Sequence, residues 1–268
     1  MKLSISNIAW SSEYDEEMYI FLKENGFDGI EIAPTRLFSE PPYDKVLEAK
    51  QYKNMLFNQY GLEISSIQSI WYGRTEQIFY DINQRKFLIE YTKRAFDFAK
   101  AMECKNLVFG CPKNRSINST EDRKIAIEFF FQLGELAKKF DTILALEANP
   151  TIYGTNFLNT TLEVYDFIKE VKSSGIRLNY DLGTVIYNNE EVIDINNYLH
   201  IINHVHISEP NLEQIIFGKI QESLMNILLK RNYQKFVSIE MKNFNSINLV
   251  KNKIIELKKR KVGYNATR

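Results

Sequence analysis

Short apolar runs alternate with longer amphipathic segments along this chain. Runs of four to six residues rich in β-branched and aromatic side chains predict strands, because such residues fit a pleated, half-buried surface. Segments in which apolar residues recur every three or four positions predict helices that bury one face. We predict strands at residues 3–6, 29–32, 62–67, 106–109, 143–147, 176–180, 203–207 and 236–240. We predict helices at residues 14–25, 43–60, 83–103, 120–140, 160–173, 192–199, 218–231 and 246–259.

This regular alternation of strand and helix predicts a parallel sheet built from βαβ units. Eight repeats of about 33 residues, without a Pro-, Gly- or Ser-rich linker, predict a single (β/α)₈ TIM barrel domain over residues 1–268. An open doubly wound sheet is the alternative, but it usually carries a glycine-rich loop after its first strand. Here that turn reads Asn7-Ile-Ala-Trp10. Gly26, Gly61 and Gly175 follow predicted helices, where a left-handed C-terminal residue is favoured.

Charge and cysteine content narrow the expected partners and compartment. Lys+Arg and Asp+Glu number 34 each, so no net basic field attracts nucleic acid or an anionic membrane. No apolar run approaches the roughly 18 residues of a membrane span. Cys104 and Cys111 form neither a disulfide framework nor a metal spacing, and the first residues lack a signal-peptide pattern. We therefore expect a reduced, cytoplasmic protein with no nucleic-acid or membrane partner.

Ionisable residues collect at the C-terminal ends of the last four predicted strands, where (β/α)₈ barrels carry their active sites. They are Glu147, Asp181, His206 and Glu240. Neighbouring strands lie about 4.8 Å apart, so we expect the four side chains to converge on one divalent metal ion. Three carboxylates and one imidazole favour Mn²⁺, Co²⁺ or Mg²⁺, with Zn²⁺ as an alternative. A structural role explains any one of these residues equally well, but the set in register favours the metal.

The residues two positions before these four should also face the barrel interior, because side chains alternate along a strand. They are Ala145, Asn179, His204 and Ser238, a small or polar layer where bulky branched residues usually pack. Hydrogen bonds from this layer to metal ligands would explain the departure. For His204, a plain buried core histidine is the alternative.

Other polar and aromatic residues at the strand ends are candidate substrate contacts. Lys113 and Arg115 flank Asn114 after the fourth strand, and they either suit a carboxylate or phosphate on the substrate or form a solvated basic loop. Trp10 and Trp71 follow strands one and three, where they either pack against a sugar or close the barrel mouth. The remaining candidates on this rim are Glu31, Gln68, Asn149, Tyr153 and Glu209.

Six short motifs occur in order through nearly the whole chain. They are Gly29-Ile-Glu-Ile-Ala-Pro34, Val108-Phe-Gly-Cys-Pro-Lys-Asn-Arg115, Leu146-Glu-Ala-Asn-Pro150, Asp181-Leu-Gly183, His204-Val-His-Ile-Ser-Glu-Pro210 and Ser238-Ile-Glu-Met241. With these motifs the chain resembles the xylose-isomerase-like barrels, a group of sugar and sugar-phosphate isomerases and epimerases that includes AP-endonuclease-2-type enzymes. The resemblance implies that Glu147, Asp181, His206 and Glu240 hold a metal, as in the ketose 3-epimerases. It also implies a homodimer or homotetramer.

Three features separate this chain from particular branches of the group. The epimerases often carry a His three residues after the strand-six Asp and an Arg six residues after the strand-seven His, where this chain has Thr184 and Leu212. The resemblance therefore implies a different substrate pocket around the same metal. The nuclease branch binds three zinc ions with many histidines, whereas this chain has 3 in total.

Together, the residues and the resemblance predict a divalent-metal-dependent isomerase or epimerase of a sugar, sugar phosphate or sugar acid. Glu147 and Glu240 would flank the substrate, one removing a proton beside a carbonyl and the other returning it, through an enediolate. A metal-dependent lyase or dehydratase acting on a related polyol or keto-acid is the alternative, with Tyr153 or Glu209 as the acid for the departing hydroxyl. A non-catalytic sugar-binding barrel is a third.

Overall fold

Eight parallel strands form a nearly closed barrel with helices between them, and the prediction of a (β/α)₈ barrel is confirmed. The structure is a computed structural model that describes residues 1–266 and the side chains of residues 1–261. Every predicted strand agrees with an observed one to within one residue at each end. The strands are β1 (Lys2–Ile5), β2 (Gly29–Ile32), β3 (Glu63–Ile67), β4 (Leu107–Phe109), β5 (Leu144–Glu147), β6 (Ile176–Asp181), β7 (Ile202–Ile207) and β8 (Phe236–Ile239).

Helices follow the strands as predicted, with two additions. The short helices α2 and α7 lie directly after strands, in stretches that we expected to be loops. None of the described helices is both long and apolar enough to cross a membrane. The helices are α1 (Asp15–Glu24), α2 (Pro34–Leu37), α3 (Val46–Met55), α4 (Ile82–Ala101), α5 (Glu121–Lys139), α6 (Thr161–Val171), α7 (Leu182–Asn188), α8 (Ile195–Tyr198), α9 (Lys219–Lys230) and α10 (Ile247–Ala266).

The barrel closes where the first strand meets the last. β1 and β8 pair in parallel from Lys2 opposite Phe236 to Ile5 opposite Ile239. The seam between β1 and β2 is a single parallel bridge from Ser6 to Glu31. This bridge lies at the C-terminal ends of both strands, so it brings the side chain of Glu31 to the end of the barrel that carries the other candidate site residues.

The apolar core lies between the barrel and its helices. Phe109 on β4 meets Trp71 at 4.8 Å between ring centroids and Phe130 of α5 at 4.9 Å, both edge to face. Phe130 continues this chain of rings to Phe167 of α6 at 5.6 Å. Such aromatic contacts each add to the stabilisation from buried area. Because these contacts and the helix faces anchor the sheet from outside, the barrel interior can carry polar side chains.

Two glycines after helices have different roles. Gly61 is left-handed (φ 71°), as predicted for the residue that ends a helix. Gly175 is not, and that prediction was wrong, because Lys172 takes the left-handed conformation after α6 (φ 54°). A Cβ atom on Gly175 would lie 2.0 Å from the carbonyl oxygen of Gly134 in α5. Gly175 is therefore required by the close approach of this loop to the helix.

Candidate metal centre and active site

The four predicted metal ligands converge at the C-terminal end of the barrel. Glu147, Asp181, His206 and Glu240 each offer one donor atom, and these atoms all lie within 4.8 Å of one another. Nδ1 of His206 lies 2.9 Å from Glu147 Oε1 and 3.1 Å from Glu240 Oε2. The imidazole therefore sits between two carboxylates that come from opposite ends of this four-strand set.

The stagger of the strands explains which side-chain lengths occur at which position. Asp181 pairs with His206 across β6 and β7, so these two lie at one level of the barrel. Glu147 pairs with Asn179, one inward-facing position lower on β6. Glu240 lies one inward-facing position above the level of His206. Barrel strands are necessarily staggered in this way. The two long carboxylates thus reach up and down to the level occupied by the short one.

Asp181 is fixed by the short helix α7, which the sequence pattern did not predict. It ends β6 and caps the N-terminus of α7, where its Oδ2 accepts from the backbone N–H of Thr184 at 2.7 Å. The Thr184 hydroxyl lies 2.8 Å from the same oxygen, and the Ser208 hydroxyl donates to Oδ1. Thr184 is buried and fixes Asp181 instead of contacting the pocket. A carboxylate held on both oxygens is preorganised for one orientation.

Glu31 lies beneath the centre and does not face the pocket, contrary to our prediction of a substrate contact. Its side chain is fully buried, and its Oε2 lies 3.0 Å from Nε2 of His206 and 3.1 Å from Nε2 of His204. Although burial opposes its ionisation, the two histidines hold the pKa of Glu31 well below its usual range. Burial likewise opposes a charge on His206, but Glu240 and Glu31 raise its pKa well above the ordinary value.

The inner polar layer and Gln68 form hydrogen bonds with the candidate metal ligands. Asn179 Nδ2 donates to Glu147 Oε1 at 2.6 Å and lies 3.2 Å from His206 Nδ1. With its amide nitrogen toward the carboxylates, Gln68 donates to Glu31 Oε1 at 2.8 Å and to Glu240 Oε1 at 2.7 Å. Ala145, His204 and Ser238 of the same layer are buried as expected. The His204 ring packs edge to face on that of His206, at 5.2 Å between centroids, and its Nε2 lies 3.1 Å from Glu31 Oε2.

The charge of the centre fits a divalent cation. Burial and mutual repulsion raise the pKa values of Glu147 and Glu240, and burial together with Glu147 raises that of Asp181 to about 6. A divalent ion in place of the Nδ1 proton of His206 would relieve this repulsion. Ligand bonds of about 2.1 Å place neighbouring donors about 3–4 Å apart, so the observed spread within 4.8 Å requires only small side-chain movements. The residues present therefore fit the metal.

A pocket of about 210 Å³ opens directly above the carboxylates. This volume is below the roughly 300–1,000 Å³ of most ligand pockets, so it suits a small molecule. The hydroxyl of Tyr153 accepts from the backbone N–H of Asn211 at 2.8 Å, and burial raises its pKa to about 12. The lining residues are Gln68, Ser69, Val108, Gly110, Cys111, Pro112, Glu147, Asn149, Tyr153, Asp181, Ser208, Glu209, Leu212 and Glu240.

Of the three polar residues predicted after β4, only one is free to meet a substrate. Arg115 is fully buried, and its Nη2 donates to the backbone oxygen of Glu147 at 3.0 Å and to Asn149 Oδ1 at 2.9 Å. Asn114 is also buried, and its amide donates to backbone oxygens of the loop after β3. Both side chains therefore support the site from behind. Lys113 is exposed.

The two predicted aromatic contacts are buried in the surrounding structure. Trp10 donates its indole N–H to Asp15 at 2.9 Å, and Trp71 donates to the Thr92 hydroxyl at 2.9 Å. Neither is among the described residues that line the pocket above the carboxylates. Both geometries agree with the alternative reading, in which these rings close the barrel mouth.

Several lining residues were missed because their side chains are small, apolar or uncharged. Val108, Gly110, Cys111, Ser208 and Leu212 form the apolar and small side of the pocket. The signal for one of them was present in the sequence, since glycine directly after a strand indicates close approach. A Cβ atom on Gly110 would lie 3.1 Å from Glu147 Oε2, so this glycine leaves room for the carboxylate.

Comparisons with known proteins agree with this architecture. The 3-keto-D-glucoside 4-epimerase of E. coli superposes with a TM-score of 0.77 at 20% identity, covering 97% of this chain and 99% of that chain. The D-psicose 3-epimerase of Clostridium cellulolyticum H10, solved with D-tagatose, gives 0.75 at 17% identity, with coverage of 97% and 96%. A probable 3-DHS dehydratase of Bacillus anthracis gives 0.71 at 17% identity, with coverage of 96% and 98%.

These superpositions, at identities of 20% or less, establish a shared fold and no more. None of the curated protein sequences compared with this chain matches it. The family described as xylose isomerase-like TIM barrel matches residues 20–260, which include every strand except β1 and all four candidate metal ligands. On the basis of this match, the chain belongs to the xylose isomerase-like TIM-barrel family.

Proposed function

We propose that this protein is a divalent-metal-dependent isomerase or epimerase that acts on a sugar or sugar derivative by proton transfer beside a carbonyl. The observation that carries this proposal is the placement of two carboxylates around one small pocket. Glu147 ends β5 and Glu240 follows β8, so they enter the pocket from strands separated by β6 and β7. Both approach Nδ1 of His206, at 2.9 and 3.1 Å, and both line the pocket.

The two glutamates are the candidate acid and base of the proton transfer. Burial raises the pKa values of both, and a general base works best when its pKa is near the working pH. One carboxylate removes the proton from the carbon beside the carbonyl, and the other delivers a proton to the opposite face. Delivery to the same carbon inverts it, whereas delivery to the neighbouring carbon isomerises the sugar. A bound divalent ion supplies Lewis-acid stabilisation of the negative charge on the substrate oxygens.

The surrounding residues keep the carboxylates in place. Asn179 donates to Glu147, and Gln68 donates to Glu240, each at less than 2.8 Å. Arg115 holds the backbone oxygen of Glu147 from the outside of the barrel. Such supports restrict side-chain movement, so that each carboxylate meets the substrate in one geometry.

A metal-dependent lyase or dehydratase is the second candidate, and one feature of the pocket favours it. Glu209 lines the pocket, and burial raises its pKa, so it is a candidate proton donor to a departing hydroxyl. Tyr153 lies on the same wall. The fold is also shared with a protein described as a probable dehydratase. Elimination would start with the same proton abstraction and end with loss of water.

The reaction can be tested with solvent deuterium. We would incubate the Mn²⁺-loaded protein in D₂O with a panel of ketoses, sugar phosphates, keto-glycosides and sugar acids and follow each by proton NMR. A glutamate that has taken a proton exchanges it with solvent, so an epimerase or isomerase must place deuterium on the carbon that it attacks. Deuterium in recovered sugar supports the proposal. Loss of water with an unsaturated product favours the lyase, and no change in any panel member contradicts both.

Assembly, compartment and partners remain proposals. We propose a homodimer or homotetramer that takes a small sugar-like molecule, binds neither nucleic acid nor membrane, and resides in the cytoplasm. Light scattering of the purified protein tests the assembly, and a single-chain mass would contradict it.

A further inference from the structure

A second cavity lies beside the catalytic pocket. Its volume is about 470 Å³, and its wall is built by the loops that follow β3 and β4. The two cavities share Ser69, Cys111 and Pro112 in their walls. The two cavities are therefore neighbours, with these three residues between them.

The two cavities carry opposite charge. The catalytic pocket is lined by four carboxylates and, among the described residues of its wall, by no lysine or arginine. The second cavity is lined by Arg74 and Lys113 and, within the part of the chain that the structure describes, by no aspartate or glutamate. This separation indicates a ligand with one end suited to a metal and the other end negatively charged.

Neither cation has an anionic partner among the described side chains. Among side chains up to residue 261, none forms an ion pair or hydrogen bond with the Lys113 ammonium or the Arg74 guanidinium. The Arg74 Nε atom is buried without a partner, and the guanidinium lies 5.3 Å from the ring centre of Tyr91. A buried donor without a partner is unusual. An anion in this cavity would meet the Lys113 ammonium, which is exposed and has no charged partner among the described side chains.

Hydrogen bonds to backbone oxygens tie together the two loops that carry these cations. The amide of Asn114 donates to the backbone oxygens of Arg74 at 3.2 Å and Glu76 at 2.9 Å. The side chain of Gln77 donates to the backbone oxygen of Lys113 at 2.8 Å. The β3 loop and the β4 loop are thereby tied together, so the cavity between them is preorganised.

We propose that this second cavity is a subsite for a phosphate or carboxylate group on the sugar-like substrate, held by Lys113 and Arg74. The proposal rests on the proposed function and names its substrate class. Arginine matches the planar, two-oxygen geometry of both anions, and lysine adds a mobile point charge. The ring of Tyr72, which is 67% exposed on the cavity wall, covers the carbon chain between the two ends.

The first test uses inorganic phosphate and the metal-free protein, so that it requires neither turnover nor a known substrate. Trp71 lines the cavity and reports binding by its fluorescence. We expect a saturable signal in the wild type and affinities lower by on the order of tenfold in Lys113→Gln and in Arg74→Gln. Lys139→Gln is the matched control, since Lys139 is exposed at the end of α5 that leads to the opposite face of the barrel. No saturable signal in the wild type, or equal affinity in Lys113→Gln, would overturn the subsite.

Two further experiments identify the preferred anion and test whether an anionic group strengthens sugar binding. Titration with acetate in place of phosphate shows which anion the subsite prefers. Calorimetry of the Mn²⁺-loaded protein then compares D-fructose with D-fructose 6-phosphate, and separately with D-fructuronate. We expect the preferred anionic sugar to bind tighter by on the order of tenfold, and this ratio to fall toward one in Lys113→Gln. Equal or undetectable binding of all three sugars overturns the substrate class. Absence of deuterium exchange, with phosphate binding intact, refutes only the proposed function.

Discussion

Glu31 Oε2 lies 3.0 Å from Nε2 of His206, on the side of the ring opposite the metal-facing Nδ1. A carboxylate in this position fixes the ring orientation and keeps the proton of the neutral imidazole on Nε2. The lone pair of Nδ1 is then directed at the centre formed by Glu147, Asp181 and Glu240. Glu31 is therefore placed to position His206, the imidazole of the proposed metal centre.

Glu31→Gln should weaken metal binding without leaving a cavity in the barrel interior. The amide retains the size of the side chain but loses the charge that holds His206, so we expect the Mn²⁺ dissociation constant to rise about 10–100-fold. Isothermal titration calorimetry measures this change. Glu63→Gln is the control, because its carboxylate pairs with Lys2 at the surface. A dissociation constant for Glu31→Gln equal to that of the control would contradict the role.

Asp181→Asn should have opposite effects with and without metal. The pKa of Asp181 in the metal-free fold is about 6, raised from 3.8 by burial and by Glu147. A carboxyl with a raised pKa costs stability above that pKa, and the cost disappears as pH falls toward the ordinary value. In the metal-free protein, the stability of Asp181→Asn relative to wild type should thus rise by on the order of 2 kcal/mol between about pH 4.5 and pH 7.5.

Urea unfolding at the two pH values measures this difference, and saturating Mn²⁺ at the higher pH should reverse it in favour of the wild type. A relative stability that does not depend on pH would show that Asp181 ionises normally. It would also remove one argument for a cation in the centre.

Glu147→Gln and Glu240→Gln should each abolish proton transfer. The amide can still donate or accept hydrogen bonds but cannot act as a base, so we expect turnover to fall by about 10²–10⁴-fold. Deuterium exchange measures the loss, with Mn²⁺ binding measured in parallel because both residues are also candidate ligands. Glu209→Gln is the comparison on the same pocket wall. A larger loss in Glu209→Gln than in Glu240→Gln would favour the lyase.

Arg115→Gln and Lys113→Gln should differ in stability, because Arg115 supports the site from a buried position whereas Lys113 is exposed. Loss of the Arg115 guanidinium leaves a cavity and three acceptors, Glu147 O, Asn149 Oδ1 and Leu158 O, without this donor. The relief of a buried charge, whose pKa burial lowers to about 10, offsets only part of this cost. We expect Arg115→Gln to lower the free energy of unfolding by roughly 2 kcal/mol and Lys113→Gln to change it by less than about 0.5. Equal effects in urea unfolding would contradict this assignment.

The barrel could be predicted because its signals are local. Strand and helix periods, and the eightfold repeat, are visible within single segments, so strand bounds agreed to within one residue. The short helix α7 was missed because seven residues carry too little periodicity. Its start was nevertheless marked by Asp181, whose side chain accepts from Thr184 N at the helix N-terminus. The same residue was read only as a metal ligand.

The candidate centre could be predicted for a related reason, since strand ends lie together in every such barrel. The surroundings of each polar side chain were harder to predict. Arg115 and Glu31 look like pocket residues in the sequence, yet both are fully buried against other site residues. Arg74 was overlooked because its loop is brought to Lys113 by hydrogen bonds between the two loops, from Asn114 and from Gln77. Such cross-loop contacts depend on tertiary structure and leave no periodic signal.

The metal content of the purified protein tests the central claim most directly. After incubation with Mn²⁺ and gel filtration, elemental analysis should find about one equivalent per chain in the wild type and far less in His206→Gln, because that variant removes the ligand between Glu147 and Glu240. Circular dichroism of both proteins confirms that the barrel is retained. Wild-type protein without bound metal, or His206→Gln with the wild-type content, would contradict the account.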